Sequence, residues 1–156
     1  MATILSQIIE VCLFRWIAGE PQYLLLQRAD DEELYPGIWQ IITGSITKNE
    51  SADKAALREI EEETKLHLKR FWSVPFVDSY FDIRNDSVQV VPVFAAEVDA
   101  ELNVRLSHEH RRFEWLAYAA ARDRVVWPGQ RQVIEIVHDF IAGKKEASRL
   151  LEIKRF

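Results

Sequence analysis

Residues Ala56–Leu66 read ALREIEEETKL, four glutamates in five positions broken only by Ile60. Like charges three and four residues apart on a helix repel, so the run carries an electrostatic cost. At about 100° per residue, with Glu59 at zero, Glu63 falls at about 40° and Glu62 at about −60°. Ile60, Thr64 and Leu57 fall at roughly 100°, 140° and 160°, on another side. One side can therefore face a core while Glu59, Glu62 and Glu63 converge. Arg58 sits one turn before Glu62 and is placed to pair with a carboxylate; Glu61 projects elsewhere, into solvent. An isolated acidic run is ordinarily a solvated face. Three converging carboxylates beside one arginine also suit a hard cation: Mg²⁺ takes oxygen ligands and keeps positions open for phosphate oxygens. The cysteine-rich and paired-histidine patterns of zinc sites are absent.

The surrounding chain alternates strand-like and helical segments. IIEVCLFRWI and YLLLQR read as strands separated by AGEPQ, and WQIITG as a short buried strand after the polar loop DDEELYPG. Ser51–Thr64 has helical periodicity with Asn49 as its expected cap. Phe71–Val77, Ser79–Ile83, VQVVPVFAAEV and RRFEWLAY are further strands, Pro92 pointing to a sheet edge or bulge. AYAAARDR is a short helix, and a longer one runs from near Gly129 to Gly143. The tail KKEASRLLEIKRF fits either a short amphipathic helix or a frayed end. No strict βαβ rhythm is present, so a mixed sheet between helices is expected.

Residues 44–66 resemble the Nudix box: glycine, five residues, glutamate, seven residues, then arginine–glutamate–aliphatic–any–glutamate–glutamate–any–glycine–aliphatic. Gly44, Glu50, Arg58, Glu59, Ile60, Glu62, Glu63 and Leu66 fit; only the second glycine departs, as Lys65. The resemblance implies an α/β/α sandwich with a mixed sheet, the box forming a loop–helix–loop, and 1–156 a single domain. It implies Glu59, Glu62 and Glu63 as Mg²⁺ ligands (Mn²⁺ able to substitute), Arg58 as their orienting residue and Glu50 as its support. Gly44 would let the backbone bend from strand into loop. At Lys65 the family's left-handed helix end would cost a side chain with a Cβ roughly 1 kcal/mol.

Outside the box, LLLQR with WQIITGSI, and SHEHRRFEWL with GQRQVIE, are similar to the family's bacterial dATP and dihydroneopterin triphosphate pyrophosphohydrolases. That similarity implies Glu109 as a further metal ligand, with Glu62 or Glu109 the base that deprotonates water. The expected substrate is a nucleoside or pterin triphosphate, cleaved to a monophosphate and pyrophosphate. Arg28, Gln40, Thr43 and Gly44 are candidates to line its pocket; Trp39, Trp115 and Trp127 are candidates to stack on the base or to serve as packing. His110 reads equally as a polar packing residue. A glutamate–histidine pair with a downstream tryptophan also occurs in the family's diadenosine tetraphosphate hydrolases, which makes them the alternative. A nucleotide-sensing domain without turnover is a second alternative, although the intact glutamates favour an enzyme. Isomerase chemistry on an isoprenoid diphosphate would need a catalytic cysteine.

Composition narrows the remaining classes. Of the 156 residues 48% are hydrophobic and 29% charged, which fits a folded domain with a core. A net charge of −5 argues against nucleic-acid binding through a basic surface. Cys12, the only cysteine, lies in an apolar run and is expected to be buried and inert. The N-terminus makes a poor signal peptide and too short a membrane span, so a cytoplasmic setting is expected.

Overall fold

A computed structural model describes all 156 residues. The strands are β1 (Thr3–Leu5), β2 (Ile8–Ile17), β3 (Glu20–Arg28), β4 (Trp39–Gln40), β5 (Ile42–Ser45), β6 (Leu68–Asp82), β7 (Ser87–Val98) and β8 (His110–Ala117). The α-helices are α1 (Ala52–Thr64), α2 (Tyr118–Arg124) and α3 (Pro128–Ile136). A π-helical turn, Val137–Ala142, prolongs α3 to Gly143.

β2 organises the sheet. It runs parallel to β7 from Glu10 to Phe14. Along its other edge it is antiparallel first to β5 (Ile8–Val11) and then to β3 (Phe14–Ile17). Alternation of side chains along a strand sends successive residues to opposite faces. Ile9, Val11 and Leu13 meet Ala55, Ala56 and Ile60 of α1, while Cys12 and Phe14 meet Ala121, Val133 and Ile134 of α2 and α3. Two apolar cores thus flank one mixed sheet, the expected α/β/α sandwich. Cys12 is fully buried, as its apolar setting implies. No helix is long and apolar enough to cross a membrane.

Several expected boundaries shift. WQIITG divides into β4 and β5, which pair with different strands, β3 and β2. The two segments expected around Asp78 form one strand, β6, whose register with β7 shifts between Ser73 and Val77. Pro92 faces that irregularity. It also falls between the stretches of β7 that pair with β1 and with β2, so its missing N–H breaks no ladder. β7 is therefore an interior strand with a bulge opposite it. The tail takes neither expected form alone. A 3₁₀ turn spans Glu146–Leu151, Ile153 N–H donates to Phe71 O at 2.8 Å, and Arg70 holds Glu152 with two hydrogen bonds of 3.0 and 2.8 Å.

Both ends of α1 differ from expectation. Ser51, not Asn49, occupies the N-cap, and Asn49 lies in the loop with φ +68°. Lys65 ends the helix in the left-handed conformation, φ 58° and ψ 22°, its N–H donating to Glu61 O at 3.1 Å. The geometry of the missing glycine is thus kept by a residue with a Cβ. Lys65→Gly is expected to raise stability by about 1 kcal/mol. Urea unfolding of the two proteins checks this; an unchanged or lowered stability would show that the cap is unstrained.

Candidate functional site

Arg58 gathers the acidic residues at the start of the site. Its guanidinium takes Glu50 bidentately, Nε to Oε1 at 2.9 Å and Nη2 to Oε2 at 3.0 Å. Nη1 donates to Glu59 at 2.7 Å and to Glu62 at 3.1 Å, and Nη2 to the Ser45 carbonyl at 2.7 Å. Glu50 also accepts from the N–H and hydroxyl of Thr47, at 3.0 and 2.9 Å. Its hydrogen bonds, those from Arg58 foremost, hold the Glu50 carboxyl down at about 2, so it remains ionised and the fork stays closed.

Glu59 and Glu63 are buried, whereas Glu61 and Glu62 are exposed. Glu61 makes only a 3.7 Å ion pair with Lys65. Burial raises the pKa of Glu59, a rise opposed by Arg58. Glu63 has no such hydrogen bond, and only the charge of Arg28 opposes its rise. It is 2% exposed and neither carboxylate oxygen has a hydrogen-bond partner. Burial, then the charges of Glu59 and Glu109, push it up to about 9. A ligand atom from each of Glu63, Glu109 and His110 lies within 4.8 Å of the others. A buried carboxylate without a partner is costly unless a charge or donor satisfies it. Convergent carboxylate oxygens are the donor set that hard divalent cations take. The residues present therefore fit a divalent metal.

Gly44 acts differently from expectation. It lies in β5, opposite Ile9, and its φ is not positive. A Cβ there would overlap the Glu59 side chain. The glycine supplies room for the Glu59 side chain to lie against β5, and the need is steric rather than one of backbone bending.

Arg28, Gln40, Thr43, Gly44, Glu59 and Glu109 line one cleft of about 980 Å³. Arg28 donates to Glu32 at 3.2 Å and to the Leu34 carbonyl at 2.9 Å, so it forms the ion pair that competes with a role on phosphate. Gln40 lies 3.3 Å from His110 Nε2, and burial lowers the His110 pKa to about 4, keeping the imidazole neutral. Of the three tryptophans only Trp127 lines the cleft, set edge-on to Tyr35 at 4.9 Å. Trp39 packs against the core beneath Arg124, and Trp115 packs beneath Arg15.

Sequence reasoning missed Glu10. It is 5% exposed in the cleft wall, on the α3 face of β2, and Gln130 donates to its Oε1 at 3.2 Å. The available signal was an acidic residue on the same strand face as Cys12 and Phe14. Burial, then the charge of Asp78, raises its carboxyl to about 7, against a lowering by Gln130. The folded state consequently holds a proton that the unfolded state releases from about pH 4.5, and stability falls as pH rises from about 4.5 through 7. The total loss approaches about 3 kcal/mol. In a Glu63→Gln background, which removes the larger slope from that buried carboxyl, Glu10→Gln should remove most of what remains in metal-free buffer. Urea unfolding at about pH 5 and about pH 8 measures it; an identical slope in the variant would show that other groups carry it.

A mixed sheet between helical layers, with an arginine-braced acidic loop–helix–loop beside a cleft, defines a Nudix-type sandwich. The sequence pattern of the NUDIX domain matches residues 9–136, and the chain belongs to the NUDIX domain family. An octanoyltransferase from Myxococcus xanthus is 30% identical over 134 residues, 81% of this chain but 35% of that protein. The chain thus spans about a third of that relative's length. The nucleoside triphosphatase NudI of Escherichia coli K12 is 29% identical over 107 residues, 64% of this chain and 76% of NudI. Among solved structures, a C. elegans Ap4A hydrolase binary complex superposes with TM-score 0.72 at 22% identity, covering 89% of this chain and 99% of that one. The E. coli dihydroneopterin triphosphate pyrophosphohydrolase superposes with TM-score 0.69 at 23% identity, covering 88% and 99%. These structural likenesses concern the fold.

Proposed function

We propose that the protein is a nucleoside or pterin triphosphate pyrophosphohydrolase, in which water attacks phosphorus and a monophosphate and pyrophosphate leave. The observation that carries this is Glu63, a buried carboxylate with both oxygens unpartnered beside Glu109 and beneath the Arg58 network. Glu59, Glu62, Glu63 and Glu109 would hold Mg²⁺, or Mn²⁺ in its place. Bound there, the metal neutralises phosphate charge and lowers the pKa of water. Arg58 orients Glu59 and Glu62; Glu62 or Glu109 takes the proton from the attacking water. Gln40 contacts the substrate, and Arg28 turns from Glu32 to a phosphate oxygen. The likeness to NudI, a nucleoside triphosphatase, supports the substrate class. Residues 1–156 acting as one domain in a cytoplasmic setting belong to the same proposal.

The test is a panel of dNTPs, NTPs, oxidised dNTPs, dihydroneopterin triphosphate, diadenosine tetraphosphate and ADP-ribose with Mg²⁺ or Mn²⁺, products resolved. Pyrophosphate with a monophosphate supports the proposal. Turnover confined to diadenosine tetraphosphate, or binding without turnover, overturns it in favour of the dinucleotide hydrolase or the sensor.

A further inference from the structure

The cleft contains a second pair of carboxyl groups that the hydrolytic reading does not use. Glu10 lines it while almost wholly buried, and its Oε2 has no partner. Its other oxygen is fixed by Gln130, whose amide is fully engaged. The nitrogen donates to Glu10 at 3.2 Å and to Thr43 Oγ1 at 3.1 Å, and the oxygen accepts Ile41 N–H at 3.2 Å. Gln130 therefore has no donor left for Oε2. Asp78 enters from β6, near enough for its charge to act on Glu10. Its carboxylate occupies the space that a Cβ on Gly129 would fill, and it accepts Ser79 N–H at 2.8 Å. No arginine or lysine pairs with either group.

Two features identify what such a wall would take. When ionised it offers acceptors only, so it matches a ligand edge that presents adjacent donors. The same cleft carries the half-exposed pair Tyr35 and Trp127, aromatic surfaces on which a flat ring can stack. Among nucleobase-like rings, the 2-amino-4-oxo type has a ring N–H beside an exocyclic amino group, two donors side by side. Adenine and cytosine each set a ring acceptor beside their amino group, and uracil flanks its N–H with two acceptors. Opposite a carboxylate those ring acceptors would be left unpaired and repelled.

We propose that Glu10 and Asp78 read the donor edge of a 2-amino-4-oxo heterocycle, guanine or pterin, while its ring stacks on Trp127, with Tyr35, perpendicular to that indole, at its edge. This deepens the hydrolase reading and rests on it for the triphosphate, but recognition of the ring is separable from turnover. Glu10 lies on the α3 face of β2, whereas α1 with its glutamates packs on the opposite face.

Two measurements on the whole protein keep the ideas apart. The first is calorimetric binding of GMP and AMP at about pH 8 with Mg²⁺, for the native protein, Glu10→Gln and Asp78→Asn. The second is kcat/KM for GTP and ATP with the same three proteins. GMP should bind at least about tenfold tighter than AMP, and either substitution should collapse that ratio toward unity. The GTP to ATP ratio should follow, the variants' melting curves showing that they fold. Equal affinities for GMP and AMP, or a ratio untouched in both variants, would overturn the inference while triphosphate turnover leaves the hydrolase reading intact. Selective GMP binding with no turnover of any triphosphate would do the reverse. A fall in bound Mn²⁺ stoichiometry in both variants, with the base ratio unchanged, would assign the pair to a cation and also overturn it.

Discussion

Glu63→Gln is expected to lower turnover by about two to three orders of magnitude and, at the same time, to stabilise the metal-free protein. The two effects share one cause. Glu63 is buried without a hydrogen-bond partner, facing Glu109 and near Glu59. Metal-free, its carboxyl is held protonated to about pH 9, so folding near neutral pH draws on a proton that the unfolded chain would release. The amide is close in shape and has no charge to desolvate, so the variant should gain on the order of a few kcal/mol near pH 7 in EDTA. Mg²⁺ should raise the melting temperature of the native protein and leave that of Glu63→Gln nearly unchanged, because ligand binding to the folded state alone stabilises it. Glu62→Gln should also lose turnover by orders of magnitude, without the stability gain, since Glu62 is exposed and already paired with Arg58. Rates and melting curves of both variants, with and without Mg²⁺, decide the matter. Near-normal turnover in both would refute the assignment of these glutamates as metal ligands.

The contrast between Glu63 and its neighbours follows from where one arginine reaches. Arg58 satisfies Glu50, Glu59 and Glu62 within 3.1 Å, which accounts for most of the repulsion implied by the run. No guanidinium hydrogen bond reaches Glu63, the least exposed glutamate of the run. The site is thus compensated on one side and open on the other. Under the proposed function, a cation beside Glu63 would complete the charge balance and leave positions for phosphate oxygens.

The apolar side of α1 was legible because helical spacing alone separates it from the charged run, and Ile60 is buried as the wheel requires. The mixed sheet was legible in the absence of a βαβ rhythm, and the sandwich in the resemblance that residues 44–66 carry. What spacing could not show was depth and contact between distant segments. Glu59 and Glu63 are buried and Glu62 is not, a difference set by the sheet beneath α1. His110 joins Glu63 only because β8 pairs antiparallel to β3 and the chain before it closes on the helix. Glu10 was hidden inside an apolar run, its environment created by Gln130, 120 positions away. The division of WQIITG was equally invisible, since β4 and β5 differ in partner rather than in composition.

Gly44→Ala should cost about a hundredfold or more in turnover although it adds one methyl group. The backbone at position 44 is an ordinary strand, so alanine is not strained there for conformational reasons. The new Cβ would instead meet Glu59 Cγ, Cδ and Oε1. Glu59 must then swing away, breaking its 2.7 Å contact with Arg58 and leaving the cluster. Overpacking of this kind costs roughly 1–3 kcal/mol of stability. The double variant Gly44→Ala/Glu59→Ala separates the steric effect from any other. Shortening Glu59 removes the atoms that clash, so the double variant should be more stable than Gly44→Ala alone, while its turnover stays low because the Glu59 carboxylate is gone. Such a pair is non-additive by construction, the sign of a direct contact. Thermal melts and rates of the two single variants and the double variant provide the cycle. Additive stability losses would mean that Gly44 is required for some reason other than the room it leaves Glu59 against β5.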